Sequence, residues 1–486
     1  MPDSATTPES SDQQRLYDQV AGHVARLIEQ GTLRPGDRIP SVRRMRGQMS
    51  VSLSTVTHAY RLLESRGLIE ARPKSGYFVR DTVSRLPLPP KASRSNIRPL
   101  RVNVARLSRR LQDVLASPEV VKLGAAVPDI ELFPTQRLNR LFSQMLRRFP
   151  DLGHRYDVPL GYPPLRKEIA RRMIDSGAEV APSEIVTTSG ASESVYLALH
   201  AALQSGDTVA VESPTYFGIL DKLETLGLKA IEIACDPQTG VDVDAIERLA
   251  QEGRIQGAVI IANFNNPLGC LMPDDAKRRL VEIMSRHQLP LIEDDIFGEL
   301  HFDPGVRPKS LKAYDRDGIV LYCSSFSKTI SPGIRVGWSA PGIYLEPLLQ
   351  AKIALNPAVS IAMQSAVAKY LEAGGFDLHL RRLRQTLHDR SRRMAYYVHQ
   401  HFPEETRATA PRGGQVLWLE LPRGFDSVQL FEEAAERNIS VAPGVLFSPG
   451  ERFRNYLRLN CGIQWTDTLQ EAISELGRLA KRQLAI

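Results

Sequence analysis

Between residues 184 and 322 the chain repeats one pattern, a short and almost unbroken apolar run followed by a longer amphipathic stretch. The runs are Glu184-Ile185-Val186-Thr187, Thr208-Val209-Ala210-Val211, Ala258-Val259-Ile260-Ile261, Leu289-Pro290-Leu291-Ile292 and Ile319-Val320-Leu321-Tyr322. A strand with one wet face alternates apolar and polar side chains. Runs that stay apolar suit strands covered on both faces, as in a mostly parallel sheet flanked by helices. The pattern predicts an α/β architecture for the region from about residue 105 onward. Residues 343–402 read as long helices and 407–486 as a smaller α+β piece.

The last run leads into Ser324-Ser325-Phe326-Ser327-Lys328-Thr329-Ile330-Ser331-Pro332-Gly333-Ile334-Arg335. A lysine where a strand runs out, among hydroxyls and seven residues before an arginine, suits a phosphate-bearing aldehyde. The amine can form a Schiff base while hydroxyls and guanidinium hold the phosphate. Upstream, Asn266 and Asp294 offer the further polar groups such a ligand needs.

The front of the chain has a different character. The net charge of +7 is uneven. Residues 1–110 hold 20 Lys and Arg against 9 Asp and Glu, or +11, and the remainder is slightly acidic. A basic head on an acidic body points to a polyanion partner for the head. A solvated, arginine-rich linker explains part of the same charge. No apolar stretch is long enough to span a bilayer, and the first thirty residues lack a signal-peptide core. The four cysteines (Cys235, Cys270, Cys323, Cys461) have no metal-like spacing, so reduced thiols in a cytoplasmic protein are expected and no metal site is.

Residues 1–12 read as a disordered tail. Leu16, Val20, Val24, Leu27 and Ile28 recur at helical spacing up to Gly31. Leu33-Arg34-Pro35-Gly36-Asp37 is a turn, and Ser41 caps a short helix over 42–49. Ser52 or Ser54 caps the next helix, which buries Val56, Ala59, Tyr60 and Leu63, leaves Ser54, Thr55, Thr57 and His58 outward, and stops at Gly67. Two short strands, 68–72 and 77–80, joined by Pro73-Lys74-Ser75-Gly76, form a wing. Helix, helix, helix and hairpin make a winged helix-turn-helix. Residues 81–104, rich in Pro, Ser and basic side chains, read as a semi-extended linker.

Residues 13–80 resemble the DNA-binding domain of the GntR family. The resemblance is carried by Leu33-x-Pro35-Gly36-Asp37-x-Ile39-Pro40-Ser41-x-Arg43, Val51-Ser52-x-Ser54-Thr55-Val56-x-x-Ala59-Tyr60, Leu63-x-x-x-Gly67-Leu68-Ile69 and Ser75-Gly76-x-x-Val79. It implies backbone contacts to double-stranded DNA from Ser41, Arg43, Arg44, Arg72, Lys74, Ser75 and Gly76, and groove contacts from Ser52, Ser54, Thr55 and Thr57. Leu53 stands where the family usually has an arginine.

Residues 105–486 resemble the fold type I, aspartate-aminotransferase-like enzymes dependent on pyridoxal 5′-phosphate. The resemblance implies a mostly parallel seven-stranded large domain (about 150–345) and a smaller α+β domain (about 105–149 and 346–486). Lys328 would bind the cofactor's aldehyde and be the catalytic residue. Asp294, in Ile292-Glu293-Asp294-Asp295-Ile296-Phe297, would pair with the ring nitrogen, and Asn266, in Asn265-Asn266-Pro267, with the phenolic oxygen. Tyr216 would stack on the ring. The phosphate would rest on Ser189-Gly190-Ala191-Ser192, with Ser325, Ser327 and Arg335 completing the cup. Tyr156 would reach the phosphate of a neighbouring subunit, implying a head-to-tail homodimer, and Arg458 would take the carboxylate of an amino acid. Phe297 replaces a tyrosine whose hydroxyl usually meets the phenolic oxygen, which puts turnover in question.

A GntR-type head joined to such a body resembles the MocR subfamily of bacterial transcription regulators. That implies a DNA-binding regulator whose body senses an amino acid, an amine or the cofactor itself through Lys328. The alternative is an active aminotransferase with an accessory DNA-binding domain.

Overall fold

The computed structural model describes residues 9–29, 32–33, 36–65, 68–72, 75–79, 86–303, 305 and 307–484. Lys74, Gly31 and Gly67, and residues 1–8 of the expected tail, lie outside these. The described chain forms two compact units, one of the residues up to Pro87 together with Ala395–Gln400, and one of Leu88–Met394 and the residues from His401 onward.

In the N-terminal unit, α1 (Glu9–Glu29), α2 (Val42–Met49) and α3 (Leu53–Ser65) precede a hairpin of β1 (Ile69–Arg72) and β2 (Gly76–Val79). α1 starts inside the stretch expected to be a disordered tail. Val20, Val24 and Ile28 of α1 meet Val56, Ala59, Tyr60 and Leu63 of α3, with Met45, Ile69 and Val79 closing the core. The i, i+3, i+4, i+7 stripe of α3 is therefore its buried face. The Tyr60 hydroxyl donates to the Pro40 carbonyl (2.6 Å), locking the turn before α2. β2 is further held by Gly36, Asp37 and Ile39, whose backbones bond Val79 and Tyr77.

The second unit is organised by a sheet of nine strands. Its path runs β3 (Asn96–Arg101), β6 (Lys229–Asp236), β5 (Thr208–Ser213), β8 (Gly257–Ile260), β9 (Leu291–Asp294), β10 (Val320–Ser325), β11 (Gly337–Ala340) and β4 (Val186–Thr188), with β7 (Gly240–Val241) pairing β6. β6, β5, β8, β9 and β10 are parallel, while β11 runs antiparallel between β10 and β4. Every residue of β5, β8, β9 and β10 is buried, as unbroken apolar runs require. The seven expected strands are present, from β6 to β4, and are extended by β3 and β7. A second sheet follows the order β12 (Arg407–Ala408), β13 (Val416–Glu420), β15 (Tyr456–Asn460), β14 (Ala442–Pro443) and is all antiparallel.

One expected boundary is corrected. The linker assigned to 81–104 is not free after residue 88. Leu88 accepts from Ala408 N (2.9 Å), Ser93 Oγ accepts from Cys235 N (2.8 Å), and residues 96–101 form the edge strand β3. Pro99 argued against a strand, but an edge strand whose register shifts between Asn96 and Leu100 can hold a residue with no N–H to donate. Helices on either side of the expected split at about 150 and 345 pack together. The helix Leu345–Leu355 packs on the helix Ala191–Ala202, and Thr135–Arg148 packs on Ile361–Glu372, which in turn packs on Pro163–Asp175. Leu138, Ala366 and Val367 share one core with Tyr322 and Trp338 of the large sheet.

Candidate functional site

A parallel sheet presents all its carboxyl ends on one edge, and ligands bind in the crevice beyond them. Here that edge carries Ser189-Gly190 after β4, Pro214-Thr215-Tyr216 after β5, Asn266 beyond β8, Asp294 closing β9 and Lys328 just beyond β10. β11 runs the other way, so the residues before it, including Arg335, arrive at the same edge. A cavity of about 230 Å³ opens there, lined by Ala191, Ser192, Tyr216, Asn266, Asp294, Ser327, Lys328 and Arg335 among others.

The Lys328 amine donates to the Ala126 carbonyl (2.7 Å). Burial, and after it the Arg458 charge, lower its pKa to about 8. Burial raises Asp294 to about 6, against the pull of Lys222. Asp294 Oδ1 is buried without a hydrogen-bond partner, a costly state for a carboxylate that a cationic ligand would relieve. Arg458 is buried against the rings of Phe217 and Phe447, donates to Asn266 Oδ1 (3.2 Å) and to the Gly124 carbonyl (2.5 Å), and has an unpartnered Nε. Its pKa falls to about 10, chiefly by burial.

The phosphate-sized end is built from backbone. Gly190, at φ 88°, precedes the helix Ala191–Ala202 and provides no side-chain cap, so the first amides stay available to an anion. Arg335 crosses behind it and donates to the Ser189 carbonyl (2.5 Å). A Cβ on Gly190 would come 2.6 Å from the Arg335 guanidinium, and one on Gly337 would come 2.5 Å from the Gly190 carbonyl carbon. The approach is that tight because both positions are glycine. An amide-lined cup beside a guanidinium, an unpartnered buried carboxylate and a lowered lysine fit the phosphate, ring nitrogen and aldehyde of pyridoxal phosphate.

Three expected site residues stand elsewhere. Ser325 lines a small neighbouring cavity, with its hydroxyl accepting from Ser327 N (3.3 Å). Tyr156 is 88% exposed and away from this chain's cavity. Arg458 stands beside the cavity, reaching it through Asn266. Sequence reasoning missed Lys222, which lines the cavity, and the loop 123–128 that covers it. The loop is laced to the second sheet: Asn460 Nδ2 donates to the Val127 carbonyl (2.9 Å), and Gln415 shares the Ala126 carbonyl with Lys328. The i, i+3 spacing of Ile219 and Lys222 on the helix Phe217–Thr225 was the available signal for Lys222. Nothing in the loop's own sequence marks it. Phe297 lines the cavity and is buried, so no hydroxyl reaches the site from that position.

On the N-terminal unit, Ser41 caps α2 by accepting from Arg44 N (3.3 Å), which leaves Arg43, Arg44 and Arg46 exposed along one short helix. Ser52 caps α3, accepting from Thr55 N (3.1 Å). Thr55 was expected to face outward. It is buried, with its hydroxyl 2.7 Å from Ser52 Oγ, because the cap folds it back against the helix start. Ser54 is exposed, and Thr57 is half-buried with its hydroxyl on the Leu53 carbonyl. Arg72 is held by Glu70 (2.8 Å) and lies over the Phe78 ring, while Ser75 and Gly76 form the exposed wing tip. Leu53 is 47% exposed where an arginine was expected.

Comparison with known proteins agrees with both halves. Residues 16–79 match the gntR family of bacterial regulatory proteins, and residues 120–476 match aminotransferase class I and II. The uncharacterized HTH-type transcriptional regulator YjiR of Escherichia coli is 38% identical over 96% of this chain and 99% of its own. The 2-aminoadipate transaminase of Thermus thermophilus is 30% identical over 78% of this chain and 94% of its own. Among solved structures, LysN, an α-aminoadipate aminotransferase from Thermus thermophilus complexed with N-(5′-phosphopyridoxyl)-L-leucine, superposes with a TM-score of 0.71 at 29% identity, covering 77% of this chain and 95% of that one. A Pyrococcus horikoshii kynurenine aminotransferase gives 0.72 at 27% identity, covering 79% and 95%. With a winged helix whose exposed helices carry free arginines, and a body shaped for pyridoxal phosphate, the chain belongs to the GntR-family transcriptional regulators of the MocR type, which join a DNA-binding head to an aminotransferase-like, pyridoxal-phosphate-binding domain.

Proposed function

We propose that the regulator is switched by an amino acid or amine that enters the cavity between Lys328 and Arg458. The observation that carries this reading is the convergence of Lys328, Asp294 and Asn266 on one cavity, with the Arg458 guanidinium reaching it through Asn266. Bound there, pyridoxal phosphate supplies an electrophilic carbon that an amine can attack. Lys328, mostly neutral above about pH 8, is the attachment point. Asp294 balances the ring nitrogen, Asn266 the phenolic oxygen, and Tyr216 covers the ring face. Gly190, Ala191, Ser192, Ser327 and Arg335 hold the phosphate, with Ser325 supporting the turn behind them. Arg458 receives the effector's carboxylate, releasing its bond to Asn266 or to Gly124.

Tyr156, exposed on its own subunit, reaches the partner's phosphate in a head-to-tail homodimer. The head meets a double-stranded operator through Ser41, Arg43, Arg44, Ser52, Ser54, Thr57, Ser75 and Gly76, with Lys74 and Arg72 toward the backbone, in the cytoplasm. For the switch to work, the effector must bind two states of the body with different affinity.

The test takes an operator fragment recovered by genome-wide mapping of bound sites. Its affinity is measured with and without pyridoxal phosphate and a panel of amino acids and amines. Wild type responds to one of them and Lys328→Ala does not; equal responses overturn the proposal. The second reading, an active aminotransferase, is favoured by the same set of cavity residues and opposed by Phe297. Sustained multiple turnovers with an amino acid and an oxo-acid acceptor would establish it.

A further inference from the structure

Lys222 is a second lysine in the cavity, and no step above uses it. It lies on the helix Phe217–Thr225 and shares the cavity wall with Tyr216, Ile219 and Asp294. Its amine donates to the Gly218 carbonyl (2.7 Å). Gly218 has no Cβ because one would sit 2.5 Å from the Tyr216 ring, so the helix start, the tyrosine and the lysine form one tight corner. A buried ammonium is unfavourable unless an anion balances it. The carboxylates that act on Lys222 are Asp294 and Asp221, and Asp221 already accepts from the Ser108 hydroxyl (2.8 Å). Each keeps one unpartnered oxygen, but Asp294 alone shares the cavity wall with Lys222 and acts on it more strongly, so Asp294 is the counter-ion.

We infer that Lys222 is a positioning residue that keeps Asp294 ionised, and so sets the pH down to which the pocket accepts a cationic pyridine ring. The inference rests on the reading that Asp294 faces the ring nitrogen. The other charged or titratable groups around Asp294 are Asp295, the residue after it, Lys328, Glu212, Tyr216 and Cys323. Asp295 works against ionisation, and Lys222 is the largest opposing charge. Losing that charge leaves Asp294 neutral to a higher pH, where it can no longer balance a pyridinium without losing a proton.

The test uses 4-deoxypyridoxine 5′-phosphate, which keeps the ring nitrogen, phenolic oxygen and phosphate but has no aldehyde to react with Lys328. Its affinity for the full-length protein is measured from about pH 5 to about pH 8. In wild type the affinity falls as pH drops through about 6, where Asp294 takes up its proton. Lys222→Gln, which keeps a donor for Gly218 without the charge, moves that midpoint up by about one pH unit or more. Lys222→Arg restores it. Coincident wild-type and Lys222→Gln midpoints, in protein with unchanged circular dichroism, overturn the inference. Lys222→Met, which also lacks the charge, replaces Lys222→Gln if the latter does not fold. An affinity that is flat with pH in all variants, or an equal response in Asp294→Asn, shows instead that Asp294 does not face the ring nitrogen.

Discussion

Replacing Arg458 by methionine tests how the cavity tunes Lys328. An ordinary lysine at pH 7.5 is neutral in about one molecule in a thousand. With its pKa at about 8, the Lys328 amine is neutral in about a quarter of molecules at that pH. The structure thus gives it a neutral fraction ~200-fold larger than that of a surface lysine. Among the charges, Arg458 does most to hold the value down. Removing a like charge favours the protonated amine, so Arg458→Met raises the pKa, by about half to one unit. Attack at pH 7.5 should then slow by ~2- to 10-fold. The assay is a short pulse of sub-stoichiometric pyridoxal phosphate at a series of pH values, quenched with borohydride to make the carbon–nitrogen link permanent, and mapped by peptide mass. Wild type should label at Lys328 with a rate midpoint near pH 8, and Arg458→Met at a higher pH. Arg458→Lys should fall between them. Superimposed profiles for wild type and Arg458→Met, or wild-type label on another lysine, would refute the argument.

Gly337→Ala places a methyl 2.5 Å from the Gly190 carbonyl carbon, so the cup must open. An overpacking cost of about 1–3 kcal/mol should weaken cofactor affinity by ~5- to 150-fold, read by absorbance titration, with the circular dichroism unchanged. In the head, Ser52→Ala removes the α3 cap and should cost about 1 kcal/mol of stability by thermal melt. Arg43→Ala should leave the melt unchanged and lower the slope of log affinity against log salt by about 1. Phe297→Tyr restores a hydroxyl at the buried cavity wall. A shift in the absorbance pH profile of the bound cofactor is expected, and an identical profile would show that this wall does not face the phenolic oxygen. Arg452 donates to the Arg94 carbonyl (2.6 Å) and sits near Glu232 of β6, tying the chain before β3 to the large sheet. Arg452→Met should speed amide exchange at residues 93–95.

Much of this molecule is legible in its sequence because the relevant signals are local. An apolar run with no polar face must be a doubly covered strand, and β5, β8, β9 and β10 are wholly buried. Ser41 precedes a helix and caps it, since a hydroxyl that can reach a free N–H three residues on needs no distant partner. The polar residues at strand ends, Asn266, Asp294 and Lys328, had to share one edge once the strands were parallel.

What the chain order could not express is which distant segments meet. Pro99 reads as linker in isolation and becomes part of β3 because the edge of β6 was open to it. Thr55 looks like a groove contact by helical phase, yet the Ser52 cap draws it inward. Lys222 is one lysine among many until the helix after β5 brings it to the cavity wall it shares with Asp294, and Ala126 is unremarkable until Asn460 and Gln415 hold its loop over Lys328. Propensity and periodicity act over a few residues and settle the elements. The charge balance of a buried pocket depends on every group that folding brings within a few ångströms, and only the assembled structure decides that.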